Sequence, residues 1–599
     1  MKKTILIFLL FASTKGISQI FFSANTDMYV KNEVLYVQQD VNLSSNSNLY
    51  LRNNSQLIQG TTGNSTNTGT GKLSLYQEGT ADNFDYNYWC SPVGNASVTS
   101  GNENFGITML NRPTTSIAAT PITVLPVTNY NGIASPLSIS STWIYKLINA
   151  NNYSQWIFVG GASTLAPGEG FSMKGTSGTD TTDPETSGIT NNPGGAQRYD
   201  FRGKPNDGNI TITLGINNAT LTGNPYPSAL HLNAFLLDGS NTATGGVAYF
   251  WEQDKTVNSH TLINYKGGYG SYSPVDLVSS GVYVPATFNS YNPNGSLNTT
   301  GLSSGLSINR RYAPIGQGFV ISATANGTAT FKNSHRVFIK ENTSGSQFEK
   351  HVPKLNNSKE ASSKEADTQE VSHFKLNTII NNQFTRQLAL AFVPQATDGI
   401  DFGIDALNMD DALPNDVTFW LQDASYVIQG VNFDVEKQIP LQVKVATNTN
   451  FKFYIPDIVN FDVSQNIYIY DGFDQSYHDV KNGTYEVNVS PGIYSDRFKI
   501  TFKNQTALGT NQIANKRFYI IQDNANSILK ASNPNNLALK SFKLYDMAGK
   551  LLLSKKELGA EQNYVFSTSG LSSGVYIAEF LTTDNERWTE KIIISNSRK

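Results

Sequence analysis

Hydrophobic and polar residues alternate in short runs along most of the chain, which is typical of β-strands that bury one face. The runs VLYVQQDVNL, NLYLRN and SQLIQG appear first, separated by turns rich in Asn and Ser. This pattern fits either a meander or a few coils of a parallel β-helix, in which each short strand stacks on the next. We predict a short-strand β segment over residues 19–83, which would need the following sequence to cover its end.

A weak internal repeat follows over residues 84–345. Its first copy reads YNYWCSPVG, WIYKL, LAPGEGFSMKG and YDFRGKPNDGNITITL, and its second reads GNPYPSAL, VAYFWEQD, YAPIGQGFVISAT and ATFKNSHRVFI. The segments Pro167–Phe171 and Pro314–Phe319 match most clearly. Pro fixes φ, and the glycines permit a sharp turn into a strand whose Phe points inward. The repeat predicts two copies of a β-rich unit, or one sandwich built from two similar halves.

The remaining chain divides by composition. Residues 346–370 are rich in Ser, Lys and Glu and hold no aromatic residue after Phe348, which predicts a linker. Residues 371–505 regain strand patterning with an Asn482-Gly483 turn, which predicts a β-sandwich. A second linker is predicted over 506–517, and a last unit over 518–599.

Composition agrees with an all-β, multi-domain protein. The 599 residues suffice for several domains, and charged residues make up only 15%. Asn, Ser, Thr and Gly fill the difference, which suits strands joined by many turns. The net charge is −3 and no basic stripe with interleaved aromatics occurs, so we expect no nucleic-acid partner.

The first 18 residues have the features of a signal peptide. Lys2 and Lys3 precede a short apolar run from Ile5 to Ala12, and Gly16 and Ser18 are small residues spaced for cleavage. The alternative is a buried first strand. No later segment is long and apolar enough to predict a transmembrane helix. We therefore expect export, with a mature chain that is soluble or attached to the surface.

The residue patterns reveal no catalytic constellation. Cys90, the only cysteine, stands among aromatic residues, which favours a buried apolar thiol. The G-x-S-x-G pattern of serine hydrolases occurs at 301–305 and 570–574, but no helical pattern follows Ser303 or Ser572. The six His residues lack ligand spacing, so zinc is not expected. We predict no catalytic residues and no enzyme activity.

An acidic stretch is the best candidate for a metal site. In TDGIDFGIDALNMDDALPND, Asp398, Asp401, Asp405 and Asp410 crowd one segment with glycines, and Asp411 follows. Carboxylate oxygens suit Ca²⁺. The spacing is not that of an EF-hand, and the alternative is an ordinary acidic surface loop. Calcium is thus the only cofactor we consider.

Exposed aromatic residues offer a second kind of site. Trp251, with Trp143 and Trp156, could stack on sugar rings, although Trp in a β-rich chain is more often part of the core. Trp251 is the residue we select as a ligand contact.

The last 80 or so residues closely resemble the type A C-terminal sorting domain of the type IX secretion system of Bacteroidetes. Three landmarks carry the resemblance: LYDMAGK, LSSGVY and KII, in that order. The matching residues are Tyr545, Asp546, Gly549, Lys550, Leu571, Gly574, Val575, Tyr576 and Lys591. The resemblance implies a small, immunoglobulin-like β-sandwich that the secretion machinery reads, with the cargo released or attached to the cell surface. The chain departs from the family by an additional SNSRK at its end.

Residues 371–505 and the repeat more loosely resemble uncharacterised exported β proteins of flavobacteria, which implies no activity. Together these features predict a secreted or surface protein with a non-catalytic, adhesin-like or matrix role. One alternative is a glycan-binding protein or polysaccharide-acting enzyme, and another is a calcium-stabilised scaffold. The expected partners are the type IX machinery and surface glycans or matrix.

Overall fold

The computed structural model describes residues 19–291, 297–303, 308–341, 346–348, 369–410, 413–504, 519–524, 526–533 and 536–595. The predicted signal peptide at 1–18, the linker at 506–517 and most of the linker at 346–370 lie outside these ranges. Two compact units occur: the described residues within Met1–Ile467, Asp479–Asp496 and Ile500–Phe502, and those within Tyr468–His478, Arg497–Lys499 and Lys503–Lys599.

The first unit begins with a parallel β-helix. Its strands are β1 (Ile20–Phe22), β2 (Asp27–Lys31), β3 (Val34–Val37), β4 (Val41–Leu43), β5 (Asn48–Arg52), β6 (Gln56–Gln59) and β7 (Lys72–Glu78). Parallel ladders join β1 to β4, β2 to β5, β5 to β7 and β3 to β6. Of the two arrangements that the sequence left open, the β-helix is therefore the one present.

The first repeat copy follows the β-helix. Its strands are β8 (Tyr86–Cys90), β9 (Val93–Gly94), β10 (Phe105–Gly106), β11 (Leu110–Pro113), β12 (Ala119–Pro121), β13 (Thr123–Leu125), β14 (Gly132–Ile133), β15 (Ser138–Ser140), β16 (Tyr145–Lys146), β17 (Ile157–Phe158), β18 (Thr164–Leu165), β19 (Gly170–Lys174), β20 (Thr176–Ser177) and β21 (Arg198–Pro205). Short 3₁₀ helices span Ile107–Met109, Ser141–Trp143 and Tyr153–Gln155. β21 pairs antiparallel with β7, so the last coil of the β-helix continues into this copy.

The second copy has the strands β22 (Ile210–Leu214), β23 (Ala219–Gly223), β24 (Ala229–His231), β25 (Ala248–Gln253), β26 (Gly267–Ser273), β27 (Val282–Val284), β28 (Thr287–Tyr291), β29 (Leu297–Ser303), β30 (Tyr312–Ala313), β31 (Gly318–Ser322), β32 (Gly327–Phe331) and β33 (Arg336–Val337). It also contains helix α1 (Leu232–Leu236) and a 3₁₀ helix at Asn333–His335.

The two copies share one topology. β19 lies between β8 and β16 in the first copy, and β31 lies between β23 and β25 in the second. The registers agree as well, because Tyr145 pairs with the third residue of β19 and Tyr249 with the third residue of β31. The Gly-Phe pairs that marked the sequence repeat open these two central strands.

The copies also pack against each other in a reciprocal way. A Cβ added at Gly170 would lie 2.7 Å from the carbonyl oxygen of Thr222 in the second copy. A Cβ added at Gly318 would lie 2.5 Å from the carbonyl carbon of Tyr88 in the first copy. Each central strand thus needs a glycine because the backbone of the other copy comes close.

A buried arginine ties the second copy to the β-helix. Arg336 donates to the carbonyl oxygen of Leu57 on β6 and forms an ion pair of 3.2 Å with Asp207. Its guanidinium lies 4.8 Å from the centre of the Tyr226 ring. Both charged side chains are fully buried, so the pair depends on these hydrogen bonds.

The rest of the first unit is dominated by one large sheet. Its strands within the first unit are β34 (His373–Ile380), β35 (Phe384–Phe392), β36 (Ala406–Leu407), β37 (Asp416–Leu421), β38 (Ala424–Val431), β39 (Gln438–Val445), β40 (Thr449–Val459) and β43 (Tyr485–Val489). β41 (Tyr468–Asp471) and most of β42 (Ser476–Asp479) belong to the second unit, and β44 (Gly492–Thr501) has residues in both. Within the large sheet, seven strands follow the order β39-β37-β38-β35-β34-β40-β43.

The C-terminal part of the second unit is a β-sandwich. Its strands are β45 (Tyr519–Asp523), β46 (Ile528–Ser532), β47 (Leu539–Asp546), β48 (Leu551–Gly559), β49 (Asn563–Ser567), β50 (Gly574–Thr582) and β51 (Arg587–Ile594). They form two sheets, β45-β46-β49 and β48-β47-β50-β51. Phe542, Phe566 and Phe580 stack in the core, with ring centres 4.0 to 5.9 Å apart. The all-β prediction, including this C-terminal sandwich, is confirmed. Among the residues described, none belongs to a helix with the length and apolar character needed to cross a membrane.

Candidate functional site

A polar cleft lies where the β-helix meets the two repeat copies. It encloses about 970 Å³, including space open to solvent. Its walls come from the β5–β6 turn, from β7, from the loop before β21 and from the segments around Pro314 and Glu341. Three glutamates and one arginine line it: Glu78, Glu185, Glu341 and Arg198. We call this feature the Arg198 cleft.

Arg198 contacts two of the three carboxylates, Glu78 and Glu185. Its side chain is only 3% exposed, and its Nε donates to Glu78 Oε1 at 2.5 Å. Its Nη1 lies 3.7 Å from Glu185 Oε2. Burial raises the pKa of Glu185, although the charge of Arg198 opposes that rise. Glu185 is therefore a carboxyl group held in a partly desolvated position.

Three buried polar atoms of the cleft have no hydrogen-bond partner. They are Glu185 Oε1, Arg198 Nη1 and Ser346 Oγ. One is an acceptor, one a donor and one both. Because unsatisfied buried polar groups are costly, such a set indicates a place where a polar ligand can bind.

The wall of the cleft also contains an aromatic ring. Tyr76 is half-buried, and its hydroxyl donates to the Thr115 carbonyl at 2.8 Å. The Arg52 guanidinium stacks 3.8 Å from the ring centre. Sites for ligands with both apolar and polar groups commonly combine aromatic rings with a few hydrogen-bonding side chains.

Sequence reasoning missed this cleft. Glu78 and Arg198 are opposite one another in the β7–β21 ladder, but 120 residues separate them in the chain. Their juxtaposition depends on a strand pairing that no local pattern encodes.

Trp251, the ligand contact selected from sequence, lies in a separate aromatic cluster. Its ring is stacked with that of Tyr265 at 6.1 Å between centres, and it also contacts Tyr88 and Tyr269. Its Nε1 donates to the Tyr265 hydroxyl at 3.2 Å. The side chain is partly exposed and borders a small cleft with Arg310. Its role in binding stays a prediction.

A buried lysine stands in the same cluster. Lys174 Nζ lies 4.2 Å from the Trp143 ring centre and 4.8 Å from that of Tyr86, and it hydrogen-bonds His260 Nδ1 at 3.2 Å. Burial lowers the pKa of Lys174 to about 8. Burial raises the pKa of nearby Asp85 to about 7. These two groups titrate near neutrality because the cluster desolvates them.

The four aspartates predicted to bind calcium have separate protein partners. Asp398 pairs with Lys437, and Asp410 accepts from the Tyr269 amide at 2.9 Å. Asp405 accepts from the amides of Asp401 and Gly430. Within the described ranges, no group of three or more His, Cys, Asp or Glu side chains is arranged to hold a metal ion. Asp411 lies outside those ranges, and calcium binding stays a prediction.

In the C-terminal sandwich, the three sorting landmarks lie side by side. Asp546 on β47 is opposite Tyr576 on β50, and Tyr576 is opposite Ile592 on β51. Tyr545 and Lys591 both lie opposite Ile577, the residue that follows LSSGVY. Asp546 and Lys550 bracket the β47–β48 turn, in which the Asp546 carboxylate accepts from the Lys550 amide at 2.9 Å.

The rest of the sorting residues form the turn and the strand beside it. Gly549 occupies the β47–β48 turn with φ +80°. Leu571 donates to the Thr568 carbonyl at 3.0 Å, just before Gly574 and Val575 open β50. Tyr576 is opposite Asp546 and donates to the Ser572 carbonyl at 2.6 Å. GLSSG is thus a corner before a strand.

The lone cysteine is buried on β8, as its aromatic neighbours predicted. Burial raises the pKa of the Cys90 thiol, which keeps it protonated and unreactive.

Comparisons with known proteins identify two segments. The family model "Domain of unknown function (DUF8693)" matches residues 13–502, and "Secretion system C-terminal sorting domain" matches residues 521–595. Neither description names an enzyme. No curated protein matches the chain.

Similarities to solved structures are faint. A DUF3244 family protein with an immunoglobulin-like β-sandwich from Bacteroides vulgatus is 16% identical, over 13% of this chain and 85% of that one, with a TM-score of 0.12. The Pseudomonas aeruginosa CupB2 chaperone is 9% identical, over 37% and 87%, with a TM-score of 0.10. The BSP domain of a biofilm-associated protein is 8% identical, over 88% and 96%, with a TM-score of 0.13. TM-scores this low do not establish a shared fold.

The sorting domain identified by sequence is confirmed, and with it the export of this protein to the cell surface or medium as type IX cargo. Over residues 13–502, which include the Arg198 cleft, the chain belongs to the family described as Domain of unknown function (DUF8693).

Proposed function

We propose that this type IX cargo is a non-catalytic, adhesin-like surface protein that binds saccharides in the Arg198 cleft. Two buried atoms carry the proposal: Glu185 Oε1, which has no hydrogen bond, and Arg198 Nη1, which has none either and only approaches Glu185 Oε2 at 3.7 Å. A sugar hydroxyl both donates and accepts, so neighbouring hydroxyls of one ring can satisfy an acceptor and a donor together. Tyr76 adds apolar surface to the wall beside these atoms, with Arg52 stacked on its ring.

The test is glycan binding by the purified chain. An array of bacterial and plant polysaccharides identifies the ligand, and calorimetry then measures its Kd. The substitution Glu185→Gln keeps the shape but replaces a carboxylate by an amide, and we expect a Kd at least about tenfold higher. The matched control is Glu486→Gln, at a side chain more than half exposed on β43, which should leave the Kd unchanged.

Two results would count against saccharide binding in this cleft. One is an array without any ligand. The other is an unchanged Kd for Glu185→Gln, checked by circular dichroism to be folded. A strain lacking the gene should also attach less well to surfaces coated with the identified glycan.

A second candidate is a polysaccharide-acting enzyme. The raised pKa of Glu185, beside a second carboxylate at Glu78, favours it, because glycoside hydrolases use one carboxylic acid and one carboxylate. Release of new reducing ends from the bound glycan, abolished by Glu185→Gln, would support catalysis over simple binding.

A further inference from the structure

No described residue covers the outer side of the first coil of the β-helix. Each of its strands has a single partner among the described residues: β1 pairs with β4, β2 with β5 and β3 with β6. The outer edges of these strands therefore present backbone N–H and C=O groups that are free to pair with another strand.

Apolar side chains are exposed at the same place. Ile20, Met28 and Leu35 point toward the interior of the β-helix but are only partly buried. Their register partners one coil below, Val41, Leu49 and Leu57, are each 0% exposed. Phe22 on β1 and Val37 on β3 are buried, at 6% and 3% exposed, so the interior of the β-helix is open to solvent over part of this end.

Aromatic residues extend the apolar surface around the rim. Phe21 on β1 is 66% exposed, Tyr29 on β2 is 43% exposed and Tyr36 on β3 is 58% exposed. An open row of strand edges with exposed aromatics is a surface that natural proteins normally cover.

The opposite end of the β-helix is covered. β7, in the last coil, pairs with β5 on one side and with β21 on the other. The described residues of one copy thus offer one open coil end, and association through that end closes after two copies.

The sequence of β2 is complementary to itself. In DMYVK, antiparallel pairing about Tyr29 places Asp27 of one copy opposite Lys31 of the other, and Lys31 opposite Asp27. Asp27 and Lys31 are both exposed on the outer face, where Asp27 also accepts from Asn48 Nδ2 at 2.8 Å. The same two-fold rotation sets β1 of one copy against β3 of the other.

We propose that two copies of the chain associate through these open ends, with β2 pairing antiparallel to β2 and each coil covering the other's exposed interior. The dimer presents two Arg198 clefts on one particle, which raises avidity for a repetitive ligand. Association uses no residue of the cleft, so it is tested independently of saccharide binding.

Charge reversal provides the experiment. The chain from Gln19 to Lys599, purified, is studied by sedimentation velocity and light scattering across a concentration series. Unaltered protein should be a dimer. Asp27→Lys alone and Lys31→Asp alone each place like charges opposite one another, so each should raise the dimer Kd at least about tenfold.

Two combinations serve as controls. The double variant Asp27→Lys/Lys31→Asp restores complementarity and should restore the dimer. An equimolar mixture of the two single variants should form the mixed dimer more readily than either forms alone. A monomer at all concentrations, equal Kd values for single variants and unaltered protein, or a double variant that fails to recover would each overturn the proposal. The chain from Met1 is measured in parallel, and a monomer there with a dimer for the shorter chain would show residues 1–18 occupying the same edge.

Discussion

At the scale of single residues, the protonation of Asp85 beside the aromatic cluster makes the stability of the protein depend on pH. The carboxyl is buried and its pKa is raised to about 7 from an ordinary value near 3.8. Between these values the folded state holds a proton that the unfolded state has lost. The contribution of Asp85 to stability is therefore complete below about pH 4 and declines as pH rises to about 7.

We expect Asp85→Asn to abolish this decline. At pH 8 the variant should unfold with a free energy roughly 1–4 kcal/mol higher than the unaltered chain, while at pH 4 the two should be similar. Thermal unfolding followed by circular dichroism across this range measures the difference. Asp423→Asn, at an exposed residue whose positive φ suits Asn, is the control and should show no such pH dependence. Equal pH profiles for Asp85→Asn and the unaltered chain would contradict the assignment.

At the scale of elements, the reciprocal glycines of β19 and β31 hold the two repeat copies together. We expect Gly170→Ala and Gly318→Ala each to lower the free energy of unfolding by about 1–3 kcal/mol, because the new methyl group meets backbone atoms that cannot turn away. Chemical denaturation measures the loss.

Gly239→Ala supplies the comparison. A Cβ at Gly239 meets no atom within 4 Å, so the free energy of unfolding of this variant should differ little from that of the unaltered chain. If Gly318→Ala proved as stable as Gly239→Ala, the close approach of β31 to β8 would be wrong.

These elements also show what sequence can and cannot predict. Pro-Gly corners followed by Gly-Phe revealed the repeat because the same backbone constraint recurs in both copies. The β-helix could not be separated from a meander, since β2 pairs with β5, one coil later in the chain, rather than with an adjacent strand. The Arg198 cleft was invisible because its charges come from β7, β21, the loop before β21 and the segment at Glu341, which only the folded chain brings together.

At the scale of the whole molecule, the C-terminal sandwich is the sorting domain for secretion. A chain without residues 518–599 should remain inside the cell envelope, because the segment that matches the secretion-system sorting domain is absent. Fractionation and surface labelling of tagged protein measure the distribution, with the full chain as reference. Truncated protein at the surface in normal amounts would refute the sorting role.

The contact between Arg336 and Leu57 has a kinetic consequence. These residues are 279 positions apart in the sequence. Residues paired in the β7–β21 ladder are about 120 positions apart. Contacts of such long range form slowly. Strands β1 to β6 of the β-helix find one another within the first 60 residues, but Leu57 meets Arg336 only after more than half of the chain has been synthesised. Until then the contact that joins the second copy to the β-helix is absent. We therefore expect the newly made chain to depend on chaperones until Arg336 joins the second copy to the β-helix.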